Sequence, residues 1–232
     1  MAKKYKHIFF DLDHTLWDTD ANSAEALREL YHKHSLQDKG LNSIEAFITK
    51  YDEINKKFWD DYSKGKISKQ SLRYKRFLLV LQHFGVKNYD LSYSLSEEYV
   101  ELAPNKNLVQ PHAHEVLHYL KNKYILHILT NGFEDAQHSK LKASKMDIHF
   151  KHIITPEKAG NKKPSPLIFE YAFKQVKANA CDCIMIGDDL EIDILGARAV
   201  GMDQVYYNLS GKQHTEKVSY EIKSLDELME IL

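Results

Sequence analysis

The run His7-Ile8-Phe9-Phe10-Asp11-Leu12-Asp13-His14-Thr15-Leu16 passes from unbroken apolar residues to two carboxylates spaced i, i+2, and then to a threonine. Ionised carboxylates are strongly disfavoured inside a buried strand, so the strand has to end there and deliver both acids to the rim of a sheet. In an open α/β sheet, ligands bind in the crevice outside the carboxyl ends of the strands. Two acids at that place can hold a divalent cation, divide nucleophile and acid–base duties, or do both.

The rest of the chain supplies the sheet that this reading needs. From Thr19 to Ala103 only helical patterns occur. Ala24, Leu27, Leu30 and Tyr31 recur at helical spacing, as do Ile44, Phe47, Ile48, Tyr51, Ile54, Phe58 and Trp59. Leu72 to Leu81 forms a further segment closed by Gly85, and Leu95, Tyr99 and Leu102 form another that stops near Pro104. Beyond Pro111 helices alternate with short apolar runs. Strands are predicted at Tyr5 to Phe10, Tyr124 to Leu129, His152 to Ile154, Cys181 to Ile186 and Gln204 to Tyr207. The intervening helices are predicted near Pro111 to Asn122, Glu134 to Ser144, Ser165 to Lys177 and Leu190 to Val200, with a terminal one at Leu225 to Ile231. Such alternation predicts an α/β fold, a Rossmann-like parallel sheet with helices on both faces.

A βαβ unit normally returns to its sheet within about 30 residues, yet the second strand begins only near Tyr124, which leaves roughly 80 residues to spare. They are expected to form an all-helical insertion after the first strand, a cap over the acidic crevice. The expected domains are a core of residues 1–16 and 106–232 and a helical cap of residues 17–105.

Composition excludes several classes of function. A formal net charge of −1 over 232 residues gives no global field for nucleic acid or an anionic membrane. No run of about 18 apolar residues is present to span a bilayer. Met1 to Lys6 leads straight into the first strand without the apolar stretch of a signal peptide, so a cytoplasmic location is expected. Cys181 and Cys183 are expected as buried, reduced thiols on one strand, since neighbours at i, i+2 are poorly placed for a disulfide. His112, His114 and His118 read as a solvated helix face rather than a metal site.

Four polar clusters stand at the ends of strands or at a loop-to-helix junction: Asp11, Asp13 and Thr15; Thr130-Asn131-Gly132; Lys163 before Pro164; and Gly187-Asp188-Asp189 with Asp193. Each alone is weak, since Asn-Gly is also a turn signal and a lysine is usually a surface residue. In this order and on these elements, the chain resembles the haloacid dehalogenase-like hydrolase superfamily. The resemblance covers the whole core, and the helical insertion resembles that superfamily's first type of cap.

The resemblance implies phosphate-monoester hydrolysis, in which positioning and charge neutralisation carry most of the catalysis. Asp11 is then the nucleophile, forming an aspartyl-phosphate, and Asp13 the general acid and base. Mg2+ is expected between an Asp11 oxygen, the Asp13 main-chain carbonyl and Asp188, with waters completing its shell. Thr130, Asn131 and Gly132 are expected to bind the phosphoryl oxygens, and Lys163 to add a second positive charge. Thr15, Asp189 and Asp193 are expected around these groups, with Asp189 either touching the ion or its waters or capping the following helix. Relatives that cleave carbon–halogen bonds lack an acid at the position of Asp13, so the resemblance favours phosphoryl transfer.

Leu129-Thr130-Asn131-Gly132-Phe133, together with Asn55, Trp59, Tyr62, Gly65, Ile67, Arg76 and Phe77, is most similar to the bacterial pyrimidine 5′-nucleotidase branch. Asn55, Trp59 and Arg76 are accordingly candidate contacts to a nucleoside monophosphate, although Trp59 also falls on the apolar stripe with Ile54 and Phe58. A small phosphorylated metabolite, such as phosphoglycolate or a sugar phosphate, is the alternative substrate, and a non-catalytic phosphate-binding scaffold the alternative of another class. No nucleic-acid polymer and no membrane is expected as partner, and the chain is expected to be a monomer or weak dimer.

Overall fold

The computed structural model describes residues 5–232. The first strand, β1 (His7–Phe10), is buried along its whole length. Four long helices follow: α1 (Thr19–Lys33), α2 (Ile44–Ser63), α3 (Lys69–His83) and α4 (Tyr89–Leu102). Then come α5 (Ala113–Leu120), β2 (Ile125–Leu129), α6 (Glu134–Ala143), β3 (Phe150–Ile154), the short α7 (Pro156–Ala159) and α8 (Pro166–Val176). The chain ends with β4 (Cys183–Gly187), α9 (Leu195–Ala199), β5 (Asp203–Tyr207), β6 (Tyr220–Ile222) and α10 (Leu228–Ile231).

The strands form one sheet in the order β3-β2-β1-β4-β5-β6, and every neighbouring pair is parallel. The order reverses at β1, with β2 and β4 on either side of it. Phe10 stands level with Ile128 of β2 and Ile186 of β4, so the residues that follow all three strands leave at one rim. One face packs Ile8, Phe10, Ile128 and Ile186 against Val116, Leu117 and Leu120 of α5 and Leu141 of α6. The other packs Phe9, Leu129 and Met185 against Ile168, Phe169 and Ala172 of α8 and Ala197 of α9. Ile8, Phe9 and Phe10 are all fully buried, and burying such side chains is worth about 1.5–3 kcal/mol apiece. On the second face His127 lies among aromatic rings, stacked on Phe9 and His152 at 4.8 and 5.3 Å, with its Nε2 3.1 Å from Nδ1 of His7.

The contacts divide the chain into two compact units, the residues up to Thr19 together with Asn107–Leu232, and Asp20–Lys106. The first unit contains the sheet. Where the second leaves it, the Asp18 N–H donates to Leu108 O at 3.1 Å, Gln110 N–H donates to Leu16 O at 2.9 Å, and Trp17 pairs antiparallel with Val109. The second unit is all helical. Ser43, Ser68 and Asn88 cap α2, α3 and α4 by accepting from Ala46, Ser71 and Leu91 N–H groups. Its core gathers Leu27, Phe47, Tyr51, Phe77, Val80 and Leu95. Gly85, at φ 78°, reverses the chain after α3 so that Val86 N–H reaches Leu81 O at 2.9 Å.

Three expectations are corrected. The strand expected from Cys181 begins at Cys183; Cys181 is exposed in a turn, and only Cys183 is buried. β6, three residues long beside β5, was not anticipated, although Val218, Tyr220 and Ile222 alternate with Ser219, Glu221 and Lys223 and could have announced it. The helix expected over 190–200 is a π-turn at Leu190–Ile194 that only then becomes α9. Among the described residues, no helix is long and apolar enough to cross a membrane. His112, His114 and His118 are exposed on or beside α5.

Candidate active site

The rim where β1, β2 and β4 end collects most of the polar residues singled out in the sequence. Asp11, one residue past β1, is fixed through its N–H to Ile186 O at 2.9 Å. Lys163 donates from Nζ to Asp11 Oδ1 at 2.7 Å and to Asp193 Oδ1 at 2.6 Å, and its side chain is 1% exposed. Thr15 donates its hydroxyl to Asp188 Oδ1 at 2.9 Å. Asp193 reaches this point from the π-turn, which carries it back toward the end of β4. Its Oδ2 accepts from Asp189 N–H at 3.2 Å. Gly187 makes that approach feasible, since a Cβ there would lie 2.3 Å from Asp193 Oδ2.

Beyond β2, Thr130 Oγ1 accepts from Gly132 N–H at 3.1 Å, which leaves its own hydroxyl proton to donate elsewhere. The Asn131 side chain takes a task the sequence did not suggest. Its Oδ1 accepts from Lys163 N–H at 2.8 Å and its Nδ2 donates to Lys163 O at 2.9 Å, bracketing the main chain of the lysine. The side chain expected to address a phosphoryl group is thus occupied in holding Lys163, whose peptide bond to Pro164 is cis.

Asp13 points to other partners. Its Oδ1 accepts from Lys140 Nζ at 2.5 Å and from the Thr19 hydroxyl at 3.0 Å, and its Oδ2 accepts from Gln137 Nε2 at 3.0 Å. Gln137 and Lys140 were missed in the sequence. Their signal is position: Gln137, Lys140, Leu141 and Ser144 recur at i, i+3, i+4, i+7, and all four are buried, so three polar residues occupy the inward stripe of this segment.

Burial and mutual repulsion dominate the electrostatics. Burial, reinforced by the charge of Asp11, pushes the Asp188 carboxyl up to about 7. Burial also raises Asp11 and Asp193, against the pull of Lys163. Burial opposes the charge on Lys163 as well, but Asp11 and Asp193 outweigh it and hold the ammonium protonated well above its ordinary range. At Asp13 the order is reversed: burial raises its pKa, yet Lys140 and the surrounding hydrogen bonds more than compensate and leave it below the usual carboxylate value.

Carboxylate oxygens of Asp11, Asp188 and Asp193 all lie within 4.8 Å of one another. Among the described residues, these three carboxylates lie beside the ammonium of Lys163, which bonds two of them, an excess of negative charge that an oxygen-seeking cation would relieve, and the donor set suits a hard ion such as Mg2+. Asp193 therefore stands inside the cluster, although both of its oxygens already accept hydrogen bonds. The Asp13 carboxylate lies outside it, so any share of Asp13 in an ion falls to its main-chain carbonyl. Asp189 is exposed, and its Oδ1 accepts from Glu191 and Ile192 N–H groups at 2.9 Å each. Of the two roles open to it, the structure displays the helix cap.

In the helical unit Arg76 donates from Nη1 to Asn55 Oδ1 at 2.7 Å, with Tyr51 and Tyr99 rings about its guanidinium at 5.5 and 5.4 Å. Asn55 and Arg76, expected as ligand contacts, thus bond to each other, and Arg76 is buried. Trp59 is half-buried and meets Tyr62 edge to face at 5.8 Å, outside the unit's main apolar cluster.

Comparison with known proteins agrees on the family. A haloacid dehalogenase-like hydrolase family matches residues 5–201. The pyrimidine 5′-nucleotidase PynA of Streptococcus pneumoniae is 33% identical, with 98% of this chain and 95% of that protein covered. The pyrimidine 5′-nucleotidase YjjG of Escherichia coli is 28% identical, with 99% and 98% covered. The crystal structure of YfnB from Bacillus subtilis, bound to magnesium, superposes with a TM-score of 0.86 at 28% identity and covers 99% of both chains.

Proposed function

From the premise that this chain belongs to the haloacid dehalogenase-like hydrolase family and is a phosphoric monoester hydrolase, we propose a magnesium-dependent phosphatase acting through an aspartyl-phosphate on Asp11, with a pyrimidine nucleoside 5′-monophosphate as substrate. The observation that carries the chemistry is Asp11 itself, held at 2.7 Å by a buried lysine beside Asp188 and Asp193 at the point where the strand order reverses. The substrate assignment is supported by the likeness to the two pyrimidine nucleotidases.

In this reading Asp11 Oδ2 attacks phosphorus while Lys163 holds Oδ1 in place and offsets the negative charge gathering there. The Thr130 hydroxyl, freed to donate by the Gly132 N–H, and the main-chain N–H of Asn131 address the phosphoryl oxygens, whereas the N–H groups of Thr130 and Gly132 are spent on Ile154 O and Thr130 Oγ1. Asn131 keeps Lys163 in register. Asp13 gives a proton to the departing alkoxide and then takes one from the water that cleaves the acyl phosphate. Mg2+ held by Asp11, Asp188 and the Asp13 carbonyl would supply charge neutralisation beside Lys163.

A phosphate-release screen across pyrimidine and purine nucleoside monophosphates and sugar phosphates tests this directly. Turnover is expected to be fastest on a pyrimidine monophosphate, to stop with EDTA and to return with magnesium. Preference for a sugar phosphate or another small metabolite would replace the nucleotide assignment while keeping the chemistry. Phosphate binding with no release from any ester would make the chain a scaffold.

A further inference from the structure

The Asp13 carboxylate is bound more heavily than a proton-transfer group requires. Lys140 and Thr19 both donate to Oδ1, and Gln137 donates to Oδ2. Gln137 is 1% exposed and Lys140 9%, on consecutive inward positions of α6. The arrangement is costly. The Gln137 Oε1 atom is buried without a hydrogen-bond partner, which leaves its desolvation unrepaid. Lys140 buries an ammonium that a surface position would leave hydrated, with its Nζ 4.4 Å above the Trp17 ring. Gly132 belongs to the same device, since a Cβ there would fall 1.7 Å from Gln137 Nε2 and drive that amide off Asp13.

We propose that Gln137 and Lys140 are positioning residues that fix Asp13 in the orientation from which it moves protons, with Gly132 leaving the space that Gln137 needs. Oδ1 is engaged twice, whereas Oδ2 accepts once and keeps a lone pair for the travelling proton. As the phosphorus–oxygen bond of the ester breaks, the bonding pair stays on the departing oxygen and takes the proton from Oδ2. In the second half-reaction, the same oxygen receives a proton from the attacking water. Lys140 and Gln137 act through Asp13, keeping Oδ2 aimed. This inference rests on the reading of Asp13 as the acid–base group.

The test compares an alkyl phosphate, whose leaving group needs a proton, with p-nitrophenyl phosphate, whose leaving group does not. Asp13→Asn is the reference and is expected to lower kcat/KM on the alkyl ester by roughly 10²–10⁴-fold, with a much smaller loss on the aryl ester. Lys140→Met and Gln137→Met are each expected to show the same imbalance, at least about tenfold, with the inhibition constant of inorganic phosphate unchanged within about twofold. Lys140→Arg is expected to recover part of the alkyl activity. Equal losses on both esters in variants that melt like the parent, or faster turnover, would overturn the positioning role. Because Gln137→Met removes no charge, it carries the test if Lys140→Met fails to fold. Absence of the imbalance in Asp13→Asn itself would instead reject the acid–base reading beneath it.

Discussion

Asp193 comes so close to Gly187 that any side chain on the glycine would have to displace it, and with it one of the two anchors of Lys163. Gly187→Ala is therefore expected to lower stability by about 1–3 kcal/mol, read as a drop in melting temperature, through overpacking of a filled site. Asp11→Asn is nearly isosteric; it is expected to abolish phosphate release while far-ultraviolet circular dichroism stays unchanged, and retained turnover would remove Asp11 as nucleophile. Asp11 and Asp188 were legible in the sequence because a carboxylate that closes an apolar strand has almost nowhere to go but the rim of the sheet. Gln137, Lys140 and Thr19 were not. A lysine within a helical segment is ordinarily read as solvent-facing, and only the strand rim opposite, known from the fold, gives its inward position a partner. Asn131 was legible as a site residue but not in its task, because the lysine it brackets lies 32 positions away in sequence.

The five apolar strands β1 to β5 and the longer helices were foreseen; β6 and the π-turn were not. The π-turn before α9 is dictated by Asp189 and Asp193 together, one capping its first N–H groups and the other turned back to Lys163. Asp189→Ala should thus cost about 1 kcal/mol of stability as a lost cap, while magnesium binding followed by calorimetry stays as in the parent. A weakened magnesium affinity would show that Asp189 serves the ion instead. The histidines lined up across β1, β2 and β3 set a pH dependence on the sheet. Burial, with the nearby His7 and His152, depresses His127 to about 3. In the unfolded chain its imidazole binds a proton near the ordinary value of 6.5, whereas the folded one stays neutral, so its contribution holds above pH 6.5 and is lost as pH falls toward 3. The slope approaches about 1.4 kcal/mol per pH unit below pH 6. Replacing the ring in His127→Leu should therefore shrink the fall in melting temperature between pH 7 and pH 5; an unchanged fall would assign acid sensitivity to other groups.

The core is discontinuous in sequence yet continuous in space. Residues 16–18 and 108–110 run antiparallel and bonded, so the first unit closes on itself where the helical unit departs. The sequence pointed to an insertion, from the missing crossover after β1, with ends expected at residues 17 and 105, but nothing in Trp17 or Val109 announces that they pair. Joining Thr19 to Asn107 through a short glycine-containing turn is expected to leave a sheet that melts cooperatively and whose melting temperature rises with magnesium, since the paired ends already make a hairpin. Loss of cooperative melting would show that the core depends on the insertion. The paired ends also bear on how such a chain can change over generations. A graft point at the mouth of a closed hairpin lets one insertion be lengthened, shortened or exchanged for another without moving a rung of the sheet. Recombination can then redraw eighty-odd residues while the acids on the rim keep their places.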